Sequence, residues 1–226
     1  DFGIHLCHTS EWKYYRWGPV APRNEVPSLI DQDGYFWHEV PDVYEHGKPA
    51  EALIEGRAQI KRALAAGVDV THIDSHMGTL QLRPDFIEVY LQLATEFDLP
   101  ARMGSRESAR KMGLETWLDR FTAKGIVFTD HFIYEELKDE KDDVKGFWAN
   151  ILRNLTPGVT ELYIHAAKPT VELQNITGSW RTRGAEYETF TNDPEIRKII
   201  TDEKIILVGY RALRELQRGA RKPTVP

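Results

Sequence analysis

Short apolar segments rich in β-branched residues alternate along the chain with stretches in which apolar side chains recur every three or four positions. That alternation predicts strands interleaved with helices, hence an α/β fold whose strands are mostly parallel. The predicted strands are Gly3 to Cys7, Val70 to Asp74, Pro100 to Met103, Ile126 to Thr129, Glu161 to His165 and Ile205 to Val208. Leu53, Arg57, Ile60 and Leu64, followed by Gly67, predict a helix with a glycine stop. Pro84 opens a second, with Phe86, Val89, Tyr90, Leu93, Ala94 and Phe97 on one face. Further helices are expected over Leu114 to Ala123, over Val144 to Leu155, and after Asp193-Pro194.

Residues 9 to 48 break the alternation. They show little periodicity but hold Trp12, Tyr14, Tyr15, Trp17, Tyr35, Phe36, Trp37 and Tyr44. A long irregular segment within a compact domain is usually a functional loop. Its aromatics can stack on sugar rings, or can pack the loop onto the sheet, as about half of them are expected to do. Arg218 to Pro226 reads as a loose tail, and residues 1 to 226 as a single domain.

With 41% hydrophobic and 28% charged residues in 226, the composition is that of a globular protein, and no apolar run approaches the roughly 20 residues needed to cross a bilayer. A net charge of -6 gives no electrostatic basis for nucleic-acid binding, which depends on neutralising phosphates. The expected partner is a small molecule, with no membrane and no nucleic acid. The single cysteine, Cys7, excludes an internal disulfide, fits a cytoplasmic location, and reads as a core residue. The chain opens at Asp1 directly on a predicted strand, as expected of a truncated or processed N-terminus.

Candidate chemistry concentrates in Thr71-His72-Ile73-Asp74-Ser75-His76-Met77-Gly78. His72 and His76 have a spacing that would join them on a helix, but on a strand they would lie roughly 13 Å apart, too far to share one ion. Asp74 and His76, about 6.6 Å apart along a strand, can both reach one site. They stand where a strand ends, as His5 and His8 do, and active sites of parallel α/β folds gather at such ends. Imidazoles from separate strands with a carboxylate nearby form the usual ligand set of a hydrolytic metal site. His131, after Thr129-Asp130, is a further strand-end candidate.

Several segments, in order and at their spacing, resemble the YdjC-like carbohydrate deacetylases, or chitooligosaccharide deacetylase family. They are Gly3-Ile4-His5-Leu6, Ser10-Glu11-Trp12 with Tyr15-Arg16-Trp17-Gly18-Pro19, Thr71 to Thr79, Leu162 to His165, and Arg183 to Glu186 before Asp193-Pro194-Glu195. The resemblance implies an irregular (β/α) barrel that removes acetyl groups from N-acetylated sugars with one divalent metal ion, zinc or magnesium before manganese or cobalt. It places the metal on His5 and His76. It puts the remaining ligand and the catalytic carboxylate in an Asp-Asp pair on a strand that precedes the Gly-x-His-Leu motif. Within this chain, Asp74 is the candidate base, or else supports the His76 imidazole. His165 is the candidate proton donor to the leaving amine. Arg183 is assigned to substrate or, alternatively, to an ion pair with Glu186. Trp12 and Trp17 are candidate sugar-binding residues, and barrels of this kind associate into homo-oligomers.

Other readings remain open at this point. The same histidines would serve a metal-dependent sugar isomerase or another barrel hydrolase, and the aromatic loop would serve a carbohydrate-binding protein without catalysis. A scaffold with purely structural histidines is a third.

Overall fold

A computed structural model describes residues 1–134 and 143–220. The elements in chain order are β1 (Phe2–Leu6), α1 (Val40–His46), α2 (Pro49–Ala65), β2 (Val70–Ser75), α3 (Pro84–Glu96), α4 (Arg106–Lys111), α5 (Glu115–Ala123) and β3 (His131–Ile133). There follow α6 (Val144–Arg153), β4 (Thr160–Leu162), α7 (Val171–Ile176), α8 (Trp180–Thr191), α9 (Pro194–Asp202) and α10 (Tyr210–Ala220). They fall into two compact units, one of residues 1–128 with 209–226 and one of residues 129–208. The result is an α/β protein in which helices dominate and the strands are short and parallel. Among the described residues no helix is long and apolar enough to cross a membrane.

The first unit is organised around β1 and β2, paired in parallel with His5 opposite Asp74 and Leu6 opposite Ser75. Their β-branched residues favour the extended chain, and Leu6, Val70 and Ile73 are fully or almost fully buried. Helix α3 starts at a proline, whose fixed φ suits the first helical position. It buries Phe86, Ile87, Tyr90, Leu93 and Ala94, each large apolar side chain contributing about 2 kcal/mol of transfer free energy. The buried Tyr90 hydroxyl donates to the Ile73 carbonyl at 2.8 Å and the Arg102 carbonyl at 3.1 Å. That joins the helix to β2 and to the segment beside it. Gly3 lies against the His72 ring so closely that a Cβ there would stand 2.3 Å from it.

The second unit pairs β3 with β4 and packs Ala149 and Leu152 of α6 against Ile196 and Ile199 of α9. Helix α9 begins as expected, with Asp193 accepting from the Glu195 and Ile196 amides.

Several expectations change. Pro100 to Met103 makes only an isolated parallel bridge, Ala101 to Ile73, and Ile126 to Thr129 forms no strand among the described residues, although Val127 accepts from the Ala101 amide. Ile205 to Val208 forms no strand among the described residues, with Ile206 84% and Leu207 76% exposed. Apolar composition makes a strand only where a neighbour accepts its backbone and covers its faces. His131 begins β3 rather than following a strand, and its Nε2 lies 3.2 Å from the Pro157 carbonyl. Arg218 to Ala220 belong to α10, and the rest of the expected tail lies outside the described residues.

The segment from 9 to 48 is more ordered than its pattern implies, with a 3-10 turn at Pro27–Leu29, a bridge between Ile30 and Phe36, and α1. Arg16 donates to Ser10 Oγ, Asp31 and the Phe36 carbonyl. The buried carboxylate of Glu55 accepts the Val20 and Ala21 amides, both at 2.9 Å. Phe36 is buried, and Trp17, Trp37 and Tyr44 pack on the core, whereas Tyr14 and Tyr15 face outward.

Candidate active site at the ends of β1 and β2

Parallel register brings the first two candidates together. With His5 opposite Asp74, both side chains leave the same face, and His5 Nδ1 lies 2.7 Å from Asp74 Oδ2. His76 follows β2 directly. There the chain turns through a left-handed residue, Met77 at φ 50°, and then Gly78 at φ 68°. Thr79 Oγ1 donates to the His76 carbonyl at 2.9 Å, and Ser75 Oγ accepts the Leu80 amide at 2.9 Å. The turn thereby points the His76 ring back at His5. Their centroids are 5.0 Å apart, and His5 Nε2 is 2.9 Å from His76 Nδ1.

Each ring has a carboxylate behind it. Asp74 backs His5, and Glu11, at the start of the aromatic segment, backs His76 with Oε2 2.9 Å from Nε2. Asp74 also receives Arg102 Nη1 at 2.5 Å. Burial pushes the Asp74 carboxyl up, but the hydrogen bond from His5 and the charges of His5 and Arg102 outweigh it and hold it below the ordinary carboxylate range. A carboxylate so engaged is a poor proton acceptor. Asp74 lies against His5, and the carboxylate at His76 is Glu11.

Hydrogen-bond accounting tests whether this pair suits a metal. A neutral imidazole has one N–H and one lone pair. If the outer nitrogens donate to the two carboxylates, His5 Nε2 and His76 Nδ1 are both bare, and two lone pairs face each other across 2.9 Å. Such an arrangement is relieved by positive charge between the rings, a proton or a metal cation, and imidazoles held by carboxylates are the usual form of a metal-ligating histidine. The donor set fits a divalent ion as two of its ligands. Among the described residues no group of three or more His, Cys, Asp and Glu side chains gathers to complete one.

The other histidines are placed elsewhere. His72 turns away to stack on Tyr210, centroids 3.8 Å apart, and its burial pushes it down to about 4. It is no partner in chelation, as the strand spacing predicts. His8 is fully buried and likewise pushed down to about 4 by burial, with Nε2 3.2 Å from the Ala52 carbonyl. Burial also pushes the Cys7 thiol up to about 11, which keeps it protonated and fits a packing residue. Trp17 presents an edge to His76, centroids 6.2 Å apart, and holds Cys7 Sγ through its indole N–H. Trp12 packs edge-on against Trp17 at 5.8 Å.

In the second unit, His165 is exposed beyond β4, edge-on to Tyr163 at 4.9 Å. Its backbone N–H donates to Glu186 Oε2 at 2.8 Å, and burial pushes the Glu186 carboxyl up against the effect of that bond. Arg183 lies on α8, its Nε donating to Ser179 Oγ at 2.8 Å.

Comparison with known proteins bears on what these residues serve. The family model described as YdjC-like protein matches residues 1–202. This chain belongs to the YdjC-like family. A carbohydrate deacetylase from Thermoanaerobacter pseudethanolicus is 30% identical over 94% of this chain and 78% of its own length. One from Thermus thermophilus is 32% identical over 95% and 78%. A crystal structure from Enterococcus faecalis, described as a candidate cellobiose-phosphate cleavage protein, superposes with a TM-score of 0.73 at 27% identity, covering 93% of this chain and 77% of that one.

Within this YdjC-like chain, the structure joins His5, His76 and Asp74 and sets Trp17 and Trp12 beside them, while His165 and Arg183 belong to the other unit. Sequence reasoning passed over Glu11 and Arg102. Glu11 lies in the segment Ser10-Glu11-Trp12 that carries the family resemblance, but 65 residues from the His76 it meets. Arg102 offered a signal: it is the one charged residue in the short apolar run Pro100 to Met103, beside the strand that carries Asp74.

Proposed function

We propose that this protein is a metal-dependent hydrolase that removes acetyl groups from N-acetylated sugars or oligosaccharides, with one divalent ion, zinc or magnesium, on His5 and His76. The observation that carries the reading is the pair of carboxylate-backed imidazoles whose inner nitrogens face each other across 2.9 Å. The kinship with proteins named carbohydrate deacetylases supplies the substrate class. A divalent ion held there supplies Lewis acidity toward an amide carbonyl and toward water.

The chain's own residues do the rest. Asp74, which also accepts from Arg102, fixes the His5 ring and its tautomer. Trp12 and Trp17 offer apolar faces and edges beside His76 for a sugar ring. Proton donation to the leaving amine by His165 and substrate binding by Arg183 are proposed from the family resemblance alone, as is the irregular (β/α) barrel as the finer form of the fold.

Bound metal measured by elemental analysis, with acetate release from N-acetylglucosamine oligomers, tests the proposal on the parent and on a His5→Ala, His76→Ala variant. The expected result is near-stoichiometric metal and acetate release in the parent and neither in the variant. Acetate release that survives in the metal-free variant would overturn it.

A further inference from the structure

We infer that Glu11 is the positioning residue for His76, holding its Nε2 protonated and its Nδ1 bare toward His5. This deepens the proposed function, since it rests on His5 and His76 forming the reactive pair. Asp74 does this for His5 from within the strand pair, but His76 stands on a turn beyond β2, where no strand neighbour can do it. The carboxylate comes instead from the first residues after β1, with Glu11 Oε2 2.9 Å from His76 Nε2.

Glu11 is held in place on its N-terminal side and by the turn that follows. The buried Ser10 donates its backbone N–H to the Trp37 carbonyl at 2.8 Å, while its Oγ accepts the Trp17 amide at 2.9 Å and Arg16 Nε at 3.2 Å. These bonds close the segment from 10 to 17 on itself, and Trp17 lays its edge against the same His76 ring that Glu11 holds. Glu11 is also well shielded, its side chain 21% exposed. Two structurally unrelated carboxylates thus treat the two rings alike: each lies at the outer nitrogen, and by accepting its proton would leave the inner one bare. A neutral ring lacking such a partner would be free to carry its proton on either nitrogen, and the Nδ1–H form would face His5 with a donor rather than a lone pair.

The test is two-bond 1H–15N NMR of the metal-free full chain, with zinc affinity measured in parallel by competition with a chelating dye. Parent and Glu11→Gln, which keeps an acceptor at the same reach, should show His76 with the proton on Nε2. Glu11→Ala should show the Nδ1–H form or a mixture, and should bind zinc about 10- to 100-fold more weakly. Its metal-free melting temperature should move by no more than about 2 °C, as for a partly exposed residue outside the core. An unchanged His76 tautomer in Glu11→Ala overturns the inference. If the expected tautomers appear but the parent itself binds no zinc, the inference about Glu11 stands and it is the metal reading that fails.

Discussion

Replacing Gly3 by Ala adds one methyl group at a place where the structure has no room. The new Cβ would lie 2.3 Å from His72 Cε1 and Nε2 and 2.7 Å from Cδ2, well inside contact distance. Relief requires the ring to move, but it is stacked on Tyr210 at 3.8 Å and its Nδ1 lies 3.0 Å from Thr71 Oγ1. Overpacking of this kind costs about 1–3 kcal/mol. Gly3 lies in β1 without a positive φ, so alanine also restricts the unfolded chain, which offsets about 0.5 kcal/mol. The net expectation is roughly 1.5 kcal/mol, or a fall in melting temperature of about 3–6 °C for a chain of this length. Thermal and urea unfolding followed by circular dichroism would measure it. The decisive comparison repeats Gly3→Ala in a His72→Ala background. With the ring gone the added methyl should be neutral or slightly stabilising, giving a coupling energy near 2 kcal/mol. A coupling below about 0.5 kcal/mol would show that the ring does not limit this position, and the packing argument would be wrong.

Asp74→Asn should lower zinc affinity about 10- to 100-fold, measured by dye competition, because the His5 ring loses its anionic partner; affinity equal to the parent would count against that pairing. His8 sets a pH dependence of stability. Its ordinary pKa near 6.5 holds in the unfolded chain while burial lowers the folded value to about 4, so on acidification the unfolded chain takes up the proton first. Stability from this group is complete above about pH 6.5 and falls by up to about 1.4 kcal/mol per pH unit down to about pH 4. His8→Leu should flatten that part of a urea-midpoint profile, and an unaltered slope would refute the assignment. Trp12→Ala should raise KM for an N-acetylated oligosaccharide about 5-fold with kcat kept, as expected for lost ring contact that is equal in ground and transition states.

The sequence was most legible where one property of a residue decided its place. Pro84 and Pro194 each open a helix because a proline needs no N–H partner there, and apolar residues at helical spacing then fix the buried face, as on α3. β1 and β2 were legible from β-branched composition, and their strand-end histidines from position alone. Helices α8 and α10 were not, because their inward faces are polar. α8 buries Gly184, Glu186 and Thr189. α10 buries Arg214, which bonds Asp69 and the Val70 carbonyl, and Gln217, which bonds the Val127 amide and Asp98. A pattern of apolar positions cannot register a face that is buried by hydrogen bonds. Ile205 to Val208 fails in the opposite sense, apolar throughout yet largely exposed.

The same division runs through the candidate site. Asp74 and His76 were found from a strand repeat of about 3.3 Å per residue, and His5 from its strand-end position and the family resemblance; the parallel pairing of β1 and β2 then brings His5 opposite Asp74. Glu11 and Arg102 reach the site by tertiary approach, across 65 residues to His76 and 28 to Asp74, which no local spacing encodes. Yet they are the groups that decide the chemistry of the first three. Arg102 donates to Asp74, and where Asp74 and Glu11 each accept the outer N–H of their ring, the two inner nitrogens are left without a proton between them. Without the outer carboxylates the two imidazoles could settle into a simple N–H···N hydrogen bond and have no use for a metal. The candidate ligands are legible in the sequence, and the reason they should act as ligands lies in the fold.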